Sequence, residues 1–292
     1  MFKNWILAAR PRTVPAAISP VFVGWAIAFN NESFRWDIAL VLLGVSLLLQ
    51  INANLINDVV DFQKGLDTNE RLGPLRVTQS GLLTPRQVWT GVGVVFLVAG
   101  MLGIYLAMVA GFPVIVMGLL AFSGAMAYST GPFPLAEKGL GDLGVILFFG
   151  FLAVCGTVFV LTGTVPAIAW WGGLAVGGMV TNVLVINNLR DIQTDRIAGR
   201  HTLPVVFGYR GGELEYNLMI GMAYLIPVGL WIERLSSVWV ILPWLTLFEA
   251  IRLSIKIHHK PDGPAFNPLL AETARLSLFF SILFALGIVL GK

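Results

Sequence analysis

The chain has 292 residues, of which 12% are Lys, Arg, Asp or Glu and 57% are hydrophobic, with a net charge of +3 and one cysteine. A soluble domain carries about 25% charged residues, so the composition excludes a water-soluble enzyme, a disordered chain and a disulfide scaffold. The small net charge also argues against nucleic acid as a partner. What remains is an integral membrane protein.

A helix that crosses a bilayer needs roughly 20 mostly apolar residues, and the chain divides into segments of that kind. Met1–Arg12 is short and basic and leads straight into the first apolar stretch, unlike a removable leader. Thr13–Asn31 and Ile38–Ile56 read as the first two spans. Gln87 to Ala136 has no charge and divides at Gly111-Phe112-Pro113 into two. Leu143 to Asn188 is also uncharged and divides near Gly163–Pro166 into two more. Tyr216–Ile232, Val238–Leu253 and Leu276–Leu290 complete nine. Strand-like alternation is absent, so the expected fold is an all-α membrane protein. It is read as one domain over residues 1–292, a nine-transmembrane-helix bundle.

Charge placement orients the bundle. The N-terminal segment and the connections after the even-numbered spans hold 16 of the 19 Lys and Arg residues. The positive-inside rule puts that side, and the N-terminus, in the cytoplasm. A bacterial inner membrane is the expected location. Arg10 and Arg12 read as part of this positive-inside anchor, with contact to an anionic substrate as the alternative.

Polar chemistry collects on the same side. Asn57-Asp58-Val59-Val60-Asp61-Phe62-Gln63-Lys64-Gly65-Leu66-Asp67 follows span two, and Asn187-Asn188-Leu189-Arg190-Asp191-Ile192-Gln193-Thr194-Asp195 follows span six. In each, an Asn precedes an Asp by four residues, which on a helix places both on one face. The recurrence hints at an internal repeat pairing Asp61 with Asp191. Carboxylates crowded at a helix C-terminus repel each other and the dipole, and a divalent cation relieves that repulsion. Oxygen-only ligands favour a hard ion such as Mg²⁺, which commonly shares its coordination with substrate phosphates. Lys64, Arg71 and Arg76 follow the first cluster, Arg190, Arg196 and Arg200 surround the second, and such groups suit phosphate oxygens. The competing explanation, a pair of solvated juxtamembrane loops, accounts less well for two such clusters on one side.

These segments resemble the UbiA superfamily of intramembrane prenyltransferases, whose two aspartate-rich motifs lie on the second and sixth of nine helices. Within it they are most similar to the branch that prenylates 1,4-dihydroxy-2-naphthoate for menaquinone. The strings that carry this are Arg10-Pro11-Arg12-Thr13, Asn54–Asp58, Gly73-Pro74-Leu75-Arg76, Tyr128-Ser129-Thr130-Gly131-Pro132, Gly139–Asp142 and Asn187–Ile192. The resemblance implies a cytoplasmic polar cap over an active-site cavity within the membrane. It implies Mg²⁺ as cofactor and, besides the bilayer, polyprenyl diphosphate and 1,4-dihydroxy-2-naphthoate as partners. It implies roles for Asn57, Asp61, Asp191 and Asp195 at metal and diphosphate, with Asp58 and Asp67 as further metal candidates. Lys64, Arg71, Arg76, Asn187 and Arg190 would contact substrate. Tyr128 would face the allylic cation or the acceptor, or else serve as an interfacial belt tyrosine. The superfamily's first motif carries a third carboxylate eight residues after the Asn, whereas position 65 here is Gly. The helix must therefore unwind near Lys64-Gly65 if Asp67 is to join the others. Acceptors such as 4-hydroxybenzoate or homogentisate, phytyl transfer in phylloquinone synthesis, and an ion-coupled transporter are the alternatives. Cys155 reads as a packing residue, and Glu249 as the local partner of Arg252.

Overall fold

The computed structural model of the chain describes residues 2–30, 34–66 and 72–291. Among these the regular structure is helical, with no strand. In chain order the helices are α1 (Phe2–Ala9), α2 (Val14–Phe29), α3 (Trp36–Gln63), α4 (Pro85–Ala110) and α5 (Pro113–Ser129). They continue as α6 (Gly141–Thr162), α7 (Ala167–Arg190), α8 (Ile192–Ile197), α9 (Leu203–Ile232), α10 (Val238–His258) and α11 (Phe266–Leu290). Eight helical segments among the described residues are long and apolar enough to cross a membrane. The segment expected as a further span, α5, has 17 residues, the lower limit of spanning length.

The bundle presents apolar side chains outward, as a protein solvated by lipid must. Leu97, Ile104 and Met108 of α4, and Leu245 and Phe248 of α10, are among the exposed large residues. α7 is the axis: 72% of its apolar stretch is buried, against 17% for α4 at the periphery. α9, α11 and α6 pack around α7, while α3 pairs with α4 and α2 with α11. Apolar burial does not drive helices together in lipid, so close backbone approach does more of the work. Gly150, in a π-helical turn of α6 (Ile146–Leu152), lies against Gly173 and Gly177 of α7. A Cβ at position 150 would stand 2.6 Å from the Gly173 carbonyl oxygen.

The breaks fall where the chain chemistry directs. Gly111 caps α4 at φ 86, and Pro113 opens α5. Thr84 and Gln87 form a capping box at the start of α4, with Pro85 in the first helical position. Two expected spans begin earlier than charge alone suggests. α9 starts at Leu203 and carries Arg210, Glu213 and Glu215. α11 starts at Phe266 and carries Glu272 and Arg275. Ionisable groups are tolerated there because neighbouring helices answer them: Glu213 meets His258 at 2.6 Å, and Glu272 meets Lys256 at 2.8 Å and Arg252 at 3.0 Å. Arg252 also bonds Glu249, as its i,i+3 spacing suggests.

Candidate functional site

Both aspartate segments end their helices with the same backbone device. α3 stops at Gln63, and Gly65 takes the left-handed conformation at φ 68. The Leu66 N–H then bonds the Asp61 carbonyl at 2.9 Å, and the Gly65 N–H bonds that of Phe62 at 3.0 Å. α8 closes the same way, with Gly199 at φ 70, the Arg200 N–H on the Asp195 carbonyl at 2.9 Å, and the Gly199 N–H on that of Arg196 at 3.2 Å. This is the glycine-terminated Schellman closure. The shared closure sets Asp61 and Asp195 at equivalent positions of their helix ends, while the Asn-x-x-x-Asp spacing matches Asp61 with Asp191. The helix also unwinds at Lys64-Gly65, as the shifted first motif requires. Asp67 and Arg71 lie outside the described residues.

The two closures face one polar chamber of about 150 Å³. Asn57, Asp61, Arg76, Asn187, Arg190, Asp191 and Asp195 all line it. Arg200 joins the motifs: its guanidinium meets Asp61 Oδ1 at 2.8 Å and Asp195 Oδ1 at 3.3 Å. Arg76 holds the other Asp61 oxygen at 2.7 Å. Arg190 forks onto Asp191 at 2.8 and 2.7 Å and also reaches Asn267 Oδ1 at 3.1 Å. Asp61, Asp191 and Asp195, carboxylates near helix C-termini where the dipole disfavours them, are thus each met by a guanidinium. Burial pushes the Asp195 carboxyl up to about 6, against the pull of Arg200. Burial also acts to lower the Arg200 pKa, but the neighbouring Asp61 and Asp195 charges outweigh it and leave the pKa raised.

Behind this chamber lies a larger apolar one of about 340 Å³. It runs between α2, α3, α5 and α6, past Leu42, Leu106, Met117 and Phe148. Arg10, Asn57, Tyr128, Leu184 and Asn187 line both chambers and form the neck between them. Tyr128 therefore belongs to the cavity and not to an interfacial belt. Ser129 donates its hydroxyl hydrogen to Asn57 Oδ1, which fixes that amide.

Two expected residues are placed elsewhere. Asp58 is buried and turned into the following loop, where its oxygens accept the backbone N–H groups of Val77 (3.1 Å) and Thr78 (3.0 Å). It does not line the chamber. Lys64 is exposed and ties the ends of α3 and α5, donating to the Ser129 carbonyl at 2.9 Å and to Glu137 at 2.5 Å. Asp58→Ala is expected to free the loop that carries Arg76, at a cost of about 2 kcal/mol for two lost charge-assisted hydrogen bonds. Thermal unfolding in detergent reads this, and an unchanged midpoint would refute the anchoring role.

Arg200 is one of three arginines around the second cluster in the sequence, and the shared Asp-x-x-x-Gly-x spacing of Asp61–Leu66 and Asp195–Arg200 singles it out. Asp142 also lines the chamber, and its buried carboxyl meets Glu215 of α9. Asp142 closes the Gly139–Asp142 string, but it and Glu215 are far apart in sequence, so no spacing pairs them.

The profile of the UbiA prenyltransferase family matches residues 17–283. The chain belongs to that family. Among curated relatives, the 1,4-dihydroxy-2-naphthoate octaprenyltransferase of Escherichia coli is 33% identical, covering 99% of this chain and 96% of the relative. Those of Haemophilus influenzae and Mycobacterium tuberculosis are 32% and 31% identical, covering 99% and 100% of this chain and 96% and 98% of theirs. A UbiA homologue from Archaeoglobus fulgidus, solved with GPP and Mg²⁺, superimposes with a TM-score of 0.72 at 16% identity, over 98% of this chain and 99% of that one. The apo homologue from Aeropyrum pernix gives 0.71 at 17%, over 95% and 97%. These solved relatives share the UbiA helical fold, and the family places the activity among the prenyltransferases. The multi-pass membrane location follows from the family and the apolar helices together.

Proposed function

We propose that this UbiA protein transfers a polyprenyl group from its diphosphate to 1,4-dihydroxy-2-naphthoate. Diphosphate and CO₂ are released and the reduced product, a demethylmenaquinol, forms, the precursor that oxidation converts to demethylmenaquinone. The curated relatives of that activity, alike over nearly the full chain, support this reading. The structural observation that carries it is the polar chamber, with both aspartate motifs bridged by Arg200, opening through a neck onto an apolar chamber. A diphosphate fits the first and an isoprenoid tail the second. We further read the bundle as nine crossings, with the N-terminus and the polar chamber on the cytoplasmic side of a bacterial inner membrane.

Asp61, Asp191, Asp195 and Asn57 offer hard oxygen donors, and among the described residues no His or Cys lines the chamber, which fits Mg²⁺. Among the described residues no group of three or more His, Cys, Asp or Glu is gathered as a ready metal cage, so the diphosphate itself would complete the coordination. Bound there, Mg²⁺ supplies charge stabilisation to the departing diphosphate. Arg76 and Arg200 exchange carboxylate for phosphate oxygens and stabilise the same developing charge. At the neck, the Tyr128 ring and Asn57 face the allylic carbon as its bond to oxygen breaks. The apolar walls exclude water that would capture the cation as an alcohol. The electron-rich naphthoate ring then forms the carbon–carbon bond.

The test is prenyl transfer in liposomes with Mg²⁺, 1,4-dihydroxy-2-naphthoate and geranylgeranyl or octaprenyl diphosphate. An Asp191→Ala control and 4-hydroxybenzoate as alternative acceptor complete it. A prenylated, decarboxylated naphthoquinol, detected as its quinone after oxidation in air, that needs Mg²⁺ and disappears in the control is the expected result. Product from 4-hydroxybenzoate alone would overturn the acceptor, and no product from folded protein would overturn the reaction.

A further inference from the structure

Arg10 occupies a backbone conformation that an arginine does not choose. It links α1 to α2 at φ 51 and ψ 73, in the left-handed region that disfavours a side-chain-bearing residue relative to glycine. The conformation is held from several sides. The Thr13 N–H and hydroxyl both donate to the Arg10 carbonyl at 2.9 Å. Asn54 of α3 donates to the Ala9 carbonyl and to Thr13 Oγ1, each at 2.9 Å. Pro11 follows directly and fixes the next φ. A buried asparagine of the long helix that carries the first aspartate motif thus braces a strained turn, and the residue at that turn is an arginine.

A positive-inside anchor needs none of this. Arg12, two residues on, is exposed and fits that role. Arg10 is half-buried and lines both chambers. Among the described residues it is the one charged side chain lining the apolar chamber. The arginines suited to diphosphate, Arg76 and Arg200, line the polar chamber alone. A cation at the neck, next to Asn57 and Tyr128 and facing an apolar space, matches an anion of a different kind. That anion has one carboxylate on a flat apolar body.

We propose that Arg10 determines acceptor specificity by pairing its guanidinium with the ring carboxylate of an aromatic acid held at the neck. The inference rests on the prenyl-transfer reading above and adds to it the group that recognises the acceptor. A guanidinium fork matches a carboxylate in two parallel hydrogen bonds. The ring then lies against the apolar wall beside Tyr128, near the carbon that it attacks. The contact forms when the acceptor binds and is broken when CO₂ leaves, so its loss falls mainly on the KM for the acceptor.

Arg10→Gly is the decisive variant, because it removes the guanidinium and suits the left-handed backbone. Arg10→Lys keeps the charge without the fork. KM would be measured for 1,4-dihydroxy-2-naphthoate and for prenyl diphosphate. Competitive inhibition by 1-hydroxy-2-naphthoate and by 1-naphthol would be compared, with direct binding of the fluorescent hydroxynaphthoate as a readout independent of turnover. Arg10→Gly is expected to raise the acceptor KM about 10- to 100-fold and to weaken the hydroxynaphthoate by a similar factor. The 1-naphthol constant and the prenyl diphosphate KM should stay within about twofold, and Arg10→Lys should fall between. Equal weakening of both inhibitors, or a rise confined to the prenyl diphosphate KM, would overturn the assignment. So would unchanged constants in Arg10→Gly. Wild-type protein that fails to turn over the naphthoate would instead sink the prenyl-transfer reading, so the two failures are distinguishable.

Discussion

Asp61→Asn is expected to lower kcat for prenyl transfer about 10²- to 10³-fold, the scale for removing one preorganised charge from the reacting centre. The amide keeps the size of the carboxylate but turns one acceptor into a donor. It then faces Arg76 at 2.7 Å and Arg200 at 2.8 Å, two groups with nothing but donors to offer. The apparent Mg²⁺ requirement should rise together with the fall in kcat, since a ligand and a charge are lost at once. Stability should fall too, because removing one member of a buried ion pair leaves the others uncompensated; the Asp61 side chain is only 11% exposed. Measuring kcat against Mg²⁺ concentration, alongside thermal unfolding in detergent, separates the two effects. Near-wild-type kcat at saturating Mg²⁺ would remove Asp61 from the reacting centre.

Gly150→Val is expected to destabilise the bundle by about 3 kcal/mol, the upper part of the range for overpacking. The new Cβ would lie 2.6 Å from the Gly173 carbonyl oxygen and 3.1 Å from Gly177 Cα. Both are backbone atoms of the central helix, so no side-chain rotation relieves the clash. The displaced helix carries Asn187 and the approach to Asp191, which couples the packing fault to the site. Gly118 makes the contrast. It lines the apolar chamber, and a Cβ there meets nothing within 4 Å. Gly118→Val should unfold at the wild-type temperature while narrowing the space for the prenyl tail. Equal melting temperatures for Gly150→Val and wild type would refute the close-packed seam between α6 and α7.

Much of the fold was legible because lipid demands uncharged, internally hydrogen-bonded helices. The run from Gln87 to Ala136 divides where Gly111 and Pro113 place the break. The start of α9 was not legible, because Glu213 and Glu215 look like a loop until His258 and Asp142 are seen across from them. The site shows the same division. Asn57, Asp61, Asn187, Asp191 and Asp195 declared themselves through helical spacing, and the structure gathers them in one chamber. Asp58 has the same composition and neighbourhood, yet its carboxylate is consumed by the backbone of Val77 and Thr78. Lys64 is drawn away by Glu137.

The sequence by itself determined that this chain lives in a membrane, is helical, and gathers two aspartate motifs with basic neighbours. Those properties follow from local hydropathy, charge counts and the 3.6-residue period, all of which a linear string records. Only the tertiary structure decided which charges meet. Arg200 reaches Asp61 across 139 residues at 2.8 Å, and Arg10 enters the neck through a turn braced by Asn54. Contacts of that kind depend on how separate helices approach one another. That approach is set by glycine seams and capped helix ends far from the residues they bring together.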